Sequence, residues 1–195
     1  IITGRRTYGD LFLKLSKNEN LKKSVLYFYD INAKANYRIG KRDRIFVSGY
    51  FGQDKFGFQD RFSIVYGNAT ATARWNHIFS DKLFSNTAFV FNDFNYTVGV
   101  NVATINIKSV IRDYGIKEDL ELFINSKNKI KFGFLSTFHT IVPGQITSQD
   151  TARIGNIFLT KNYGWENAIY AQHEVSLWNK VTINYGVRLS IFSQV

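Results

Sequence analysis

Three kinds of residue in this chain carry chemistry in other settings: paired carboxylates, histidines and clustered arginines. Asp119 lies next but one to Glu121, and Glu166 and Glu174 share a short segment. Paired carboxylates supply the acid and the base of hydrolysis when a third element activates the substrate beside them. Here their neighbours in the pattern are Lys117, Lys131 and Arg188, and no nucleophile elbow or Gly-rich phosphate cradle accompanies them. The same residues therefore read as ion pairs along a strand face, and no enzyme is expected. His77, His139 and His173 stand apart without ligand spacing, and there is no cysteine, so neither a metal nor a cofactor is expected. Arg5 and Arg6 with Asp10 form a polar cluster that suits either an anionic ligand or a charge-balanced strand end.

The elements that position these residues are strands. In VTINYGVRLSIF, residues 181 to 192, Val181, Ile183, Tyr185, Val187, Leu189 and Ile191 share one side of an extended chain, and Thr182, Asn184, Gly186, Arg188 and Ser190 share the other. The pattern recurs with Tyr27 to Ile39, reverses at Gly40 to Asp43, and returns from Arg44 with Ile45, Val47, Gly49 and Phe51 on the apolar side. A second pair starts near Phe62, carries Asn68, Thr70, Thr72, Arg74 and Asn76 opposite Ala69, Ala71, Ala73 and Trp75, turns near Asp81, and runs over about 83 to 98 with weaker alternation. A third pair spans about 104 to 141 and turns at 125 to 129; a fourth spans about 164 to 192 and turns at Trp178 to Lys180. Glu118 interrupts an apolar face of Ile116, Leu120 and Leu122, and the pattern offers no reason for it.

Composition agrees with strands. Aromatic residues make 16% of the 195, with 18 Phe and 11 Tyr against one Pro, which favours β-structure over helix. No run of about 18 apolar residues exists, so no transmembrane helix is expected, and residues 1 to 25 lack signal-peptide regions. The formal net charge of +10 raises nucleic acid as a partner, but the basic residues are spread over the chain, and the densest cluster, RIGKRDR at 38 to 44, caps a turn; no nucleic acid is expected.

Short turns near 42, 81, 127 and 179 alternate with longer connections near 11 to 25, 52 to 61, 92 to 103 and 142 to 163. Transmembrane barrels of the outer membrane have that asymmetry, with short periplasmic turns and long outer loops. Phe79, Phe84 and Trp178 beside short turns suit an interfacial girdle. The polar faces are rich in Asn, Thr, Ser and Gly with charges of both signs, as in a crowded lumen, so lipid rather than a protein core is expected on the apolar side.

The segments GRRTYGDLFLKL, LYFYDINAKANYRIGKRDRIFVSGYFGQDKFGF, GNATATARWNHIFSDKLFSNT, IRDYGIKEDLELFINSKNKIKFG and WENAIYAQHEVSLWNKVTINYGVRLS resemble, in order and spacing, the barrel of TonB-dependent outer-membrane receptors of Bacteroidetes-type envelopes. The resemblance implies an all-β fold of antiparallel transmembrane β-barrel strands, residues 1–195 being a fragment of a barrel of about 22 strands. About nine strands can be counted, without a plug domain or TonB box, and open edges do not survive in lipid. The resemblance further implies a bacterial outer-membrane location and import of an unidentified small ligand. Its partners are then outer-membrane lipid, the receptor's own plug domain and a TonB-type energy-transducing complex. On this reading Arg5, Arg6, Arg74, Lys117, Asp119, Lys131 and Arg188 face the lumen or the plug, and Asp54, Lys55 and Gln59 lie on an outer loop that captures ligand. A structural or adhesive barrel without transport, and a soluble β-sandwich binding module, are the other readings.

Overall fold

The computed structural model describes residues 1–59, 61–100, 104–148, 155–177 and 181–195. Its strands are β1 (Ile2–Arg6), β2 (Val25–Ile39), β3 (Asp43–Phe58), β4 (Phe62–Ile78), β5 (Leu83–Val100), β6 (Ile105–Asn125), β7 (Asn128–Ser148), β8 (Asn162–Leu177) and β9 (Val181–Gln194). They form one antiparallel sheet in which every strand pairs with its neighbours in sequence, from β1 at one edge to β9 at the other. Helices α1 (Gly9–Lys14) and α2 (Glu19–Lys22) occupy the connection from β1 to β2.

The alternation read from the sequence becomes two faces of this sheet. Tyr37 stands beside Ile45 and Ile45 beside Trp75, while Asn36 stands beside Phe46 and Phe46 beside Arg74. Carried across the ladder, the apolar face holds Ala71, Phe91, Tyr114, Phe138 and Trp165, and the polar face holds Asp119, Tyr170 and Arg188. Nothing covers the apolar face among the described residues. Among the described residues Ala168 is the only buried apolar side chain, whereas Asp30 and Asp119 are buried at 5% and 4% exposure. A β-sandwich requires a second sheet and an apolar core between the two; this sheet has neither among the described residues.

The short turns are staggered in one sense. The Ile78 amide donates to Arg42 O, the Phe123 amide to Lys82 O and the Ser176 amide to Lys127 O. Each turn thus ends level with a residue of the next strand that has not yet reached its own turn. A steady stagger of this kind tilts strands in a barrel wall. Gly40, at φ +69°, makes the first reversal in a conformation that favours glycine.

Three of the four expected long connections contain strand. β3 runs through 52 to 58, β5 through 92 to 100, and β7 and β8 extend into 142 to 163, whereas 11 to 25 holds α1 and α2. Backbone pairing continues there although the faces exchange character: Gln53 and Lys55 follow Phe51 on the apolar face, and Asp93, Asn95 and Thr97 follow Phe91, while Phe56, Ile64, Val98 and Ile107 stand together on the other side. The predicted turn at 178 to 180, with Trp178, lies outside the described residues. Phe79 sits with His77 and Trp75 beside a short turn, but Phe84 lies on the polar side, packed edge-on against Phe123.

Candidate functional site

The polar face of β6 to β9 gathers most of the predicted charges. Asp119, Gly133, Tyr170 and Arg188 form one rung across the four strands. Gly133 leaves room for the Tyr170 ring to lie over the β7 backbone and donate its hydroxyl to Asp119; a Cβ there would meet Tyr170 Oη at 2.8 Å and would also collide with the Glu118 carbonyl. Lys117 Nζ is 2.9 Å from Asp119 Oδ2, Lys131 Nζ is 3.5 Å from its other oxygen, and Lys131 also reaches Glu121 at 3.4 Å. Lys117 and Arg188 each place their charge 5.9 Å from the centre of the Tyr170 ring. The carboxylate is nearly removed from solvent and satisfied from three directions, which is what a buried anion requires.

One step further from the short turns, Asp113 pairs with His139 Nδ1 at 2.8 Å, and Glu166 lies 3.8 Å from both His139 Nε2 and Arg188 Nη2. The carboxylate pairs that would suit hydrolysis are therefore engaged by cations, as the spacing with Lys117, Lys131 and Arg188 predicts. This arrangement makes a stiff, nearly charge-balanced wall.

The other predicted residues divide. Arg5 bonds Asp30 on the polar face and lies over Phe28. Arg6 is on the opposite face: it pairs with Asp10 at 3.1 Å and packs on Tyr8 and Tyr27. Successive strand residues alternate sides, so two adjacent arginines cannot both face one lumen. Arg74 is on the polar face and stacks on Phe46 at 4.4 Å, apart from the Asp119 cluster. Asp54 and Lys55 are strand residues rather than loop residues, Asp54 on the polar face and Lys55 on the other. Gln59 is at the tip, at φ +53°, where its amide donates to Ser24 Oγ at 3.4 Å.

Sequence reasoning missed Tyr170, Gly133, Asp30 and His139 as members of these clusters, since cross-strand partners far apart in sequence leave no local signal. Glu118, unexplained by the pattern, accepts a hydrogen bond from Thr87 Oγ1 across the ladder on the apolar face.

No family model matches the chain, and no curated protein does. Among solved structures, the crystal structure of BauA, the ferric preacinetobactin receptor from Acinetobacter baumannii, is similar with a TM-score of 0.63 over 87% of this chain, at 12% sequence identity. The chain spans 34% of that receptor's length. At this identity the likeness concerns the fold.

Proposed function

We propose that this chain is part of the barrel wall of an outer-membrane receptor that imports a scarce small ligand with energy from a TonB-type complex. The observation that carries the reading is the single staggered sheet with an uncovered apolar face and an ion-paired polar face. Lipid covers the first, and the lumen, with a plug domain in it, borders the second. Lys117, Asp119, Lys131 and Arg188 then stiffen the lumen wall where the plug moves past, Arg5 and Arg74 border the same lumen, and Arg6 braces the outer connection. Asp54 and Gln59 stand toward the outer rim, where a ligand arrives. The likeness to BauA supports the fold of such a wall and makes a ferric siderophore the first ligand class to try.

Uptake of radiolabelled ferric siderophores by cells with and without the intact protein, each with and without a protonophore, tests the function. Uptake that requires both the protein and the proton gradient is the expected result. An outer-membrane barrel that binds or transports none of these, nor cobalamin, oligosaccharides or peptides, is instead structural or adhesive.

A further inference from the structure

Cations on the polar face are handled in two different ways. On β6 to β9, Lys117, Lys129, Lys131 and Arg188 each have a carboxylate within 4 Å. On β2 to β4 the same face carries Lys34, Arg38, Arg44 and Arg74, and among the described residues none of the four has a carboxylate partner. The register places them in three successive rungs: Lys34, Ser48 and Thr72; then Asn36, Phe46 and Arg74; then Arg38, Arg44 and Asn76. Arg38 and Arg44 are direct cross-strand partners, an arrangement of like charges that costs stability. The two nearby carboxylates are already engaged, Asp43 by His77 and Trp75, and Asp30 by Arg5.

The guanidinium groups are nonetheless held in place. Arg44 and Arg74 both lie over the single ring of Phe46, at 4.9 and 4.4 Å, and Arg44 Nη2 donates to Asn36 Oδ1 at 2.7 Å. Each guanidinium has five N–H donors, so most remain free, beside the hydroxyls of Ser48 and Thr72 and the Lys34 ammonium. Lys34, Asn36, Phe46, Ser48, Thr72 and Arg74 line one hollow together with Ile1, and Arg44 stands beside it, over the Phe46 ring. Its donors are many, Arg74 and the adjacent Arg44 are pre-positioned by stacking on Phe46, and among the described residues that line it there is no carboxylate. That is the chemistry of an oxyanion site, in which a guanidinium grips two oxygens of a carboxylate or phosphate.

We infer that Lys34, Arg44 and Arg74, with Ser48 and Thr72, form an oxyanion-binding site on the lumen face of β2 to β4. The inference rests on the reading of this face as a barrel interior. The oxyanion is either a solute in the lumen or a carboxylate of the protein itself lodged against the wall, and the two sources respond to different probes.

The test uses the intact protein in detergent, after heat-modifiable mobility has established a folded barrel. In the first arm inorganic pyrophosphate is titrated by calorimetry into the wild type and into Arg44→Gln/Arg74→Gln. In the second, a carbodiimide couples the Lys34 amine to any carboxylate in contact, and mass spectrometry identifies the joined peptides. Pyrophosphate binding that weakens tenfold or more in the double variant assigns the site to a soluble oxyanion. A specific Lys34 amide in wild type, lost in the double variant, assigns it to the protein's own carboxylate. If the double variant does not fold, Arg44→Lys/Arg74→Lys keeps the charge while removing the forked donors, and a several-fold loss in either arm is expected. A folded barrel that neither binds pyrophosphate nor forms the amide overturns the inference, as does binding equal in variant and wild type without the amide. Absence of heat-modifiable mobility removes the barrel interior and overturns both readings, and because it is read first the two failures are distinct.

Discussion

Asp119 shows how one residue can organise a face. It takes a hydroxyl from Tyr170 and approaches two lysines, and the geometry depends on Gly133 having no side chain. Three substitutions separate these parts. Tyr170→Phe keeps the ring over Gly133 but removes the hydroxyl donor, and is expected to destabilise the folded barrel by about 1 kcal/mol. Asp119→Leu leaves Lys117, Lys131 and the Tyr170 hydroxyl without their acceptor and is expected to cost about 1–3 kcal/mol. Gly133→Ala should be the worst, because the new methyl meets the Glu118 carbonyl as well as the Tyr170 hydroxyl, and a backbone atom cannot swing away. Urea titration of the heat-modifiable band of the intact protein gives the order. Gly133→Ala no worse than Tyr170→Phe would show that the ring does not lie over this glycine. Thr87→Val probes the opposite face: it withdraws the hydroxyl from Glu118 and leaves a lone carboxylate in the apolar belt. If the apolar face meets lipid, a loss of folded protein larger than that of Tyr170→Phe is expected from the same titration, since a charge facing lipid costs more than a neutral donor facing a polar lumen.

At the scale of a strand, what was legible depended on how a residue's role is encoded. The turn read at Gly40 to Asp43 and the two faces of β9 are written locally, in a turn glycine and a period of two, and both are found where the sequence puts them, with Asp43 already the first residue of β3. The upward extensions of β3 to β7 are not written locally: above the belt the alternation inverts, Phe56, Ile64, Val98 and Ile107 forming an apolar rung on the side that is polar below while Lys55 and Thr97 stand on the other, so the face pattern breaks although the backbone ladder continues. For the same reason Asp54 and Lys55 read as loop residues. The ion pairs of Lys117 and Lys131 with Asp119 were legible because all of them share a face near one turn, whereas Tyr170 reaches Asp119 from two strands away. β9 supplies a direct test of the faces, since Leu189 stands beside Ile169 and Arg188 beside Tyr170. Leu189→Arg is expected to lower barrel stability by about 2–4 kcal/mol if near the bilayer midplane. Arg188→Leu adds no charge to the apolar face and leaves the partly exposed Glu166 less paired and the Tyr170 ring without one of its two cations, so its effect should be smaller. Equal folding of Leu189→Arg and wild type in membranes would mean that this face does not meet the bilayer core.

The whole sheet is an object that water does not tolerate alone. The accessible surface of the chain is 13440 Å², whereas a compact monomer of 22.5 kDa exposes about 9,500 Å². Much of the difference is the uncovered apolar face: Phe89, Tyr114 and Trp165, on strands paired at both edges, are 56%, 52% and 49% exposed, far beyond what single surface residues explain. Both edges add to the problem, because β1 is bonded only to β2 and β9 only to β8, and the unpaired backbone groups of an edge strand recruit other strands. Aggregation is therefore the expected fate of residues 1–195 expressed alone without detergent, by two routes at once, face to face through the apolar belt and edge to edge through β9. Size-exclusion chromatography with light scattering, followed by thermal melting, checks this. Large, polydisperse species without a cooperative transition are expected. Charged substitutions confined to the apolar face, such as Val187→Lys with Leu189→Lys, should reduce the first route but leave edge pairing intact, so oligomers should persist at lower mass. A monodisperse monomer of wild-type sequence with a cooperative melt would mean that these strands close on themselves in water, and the barrel-wall reading would have to be abandoned.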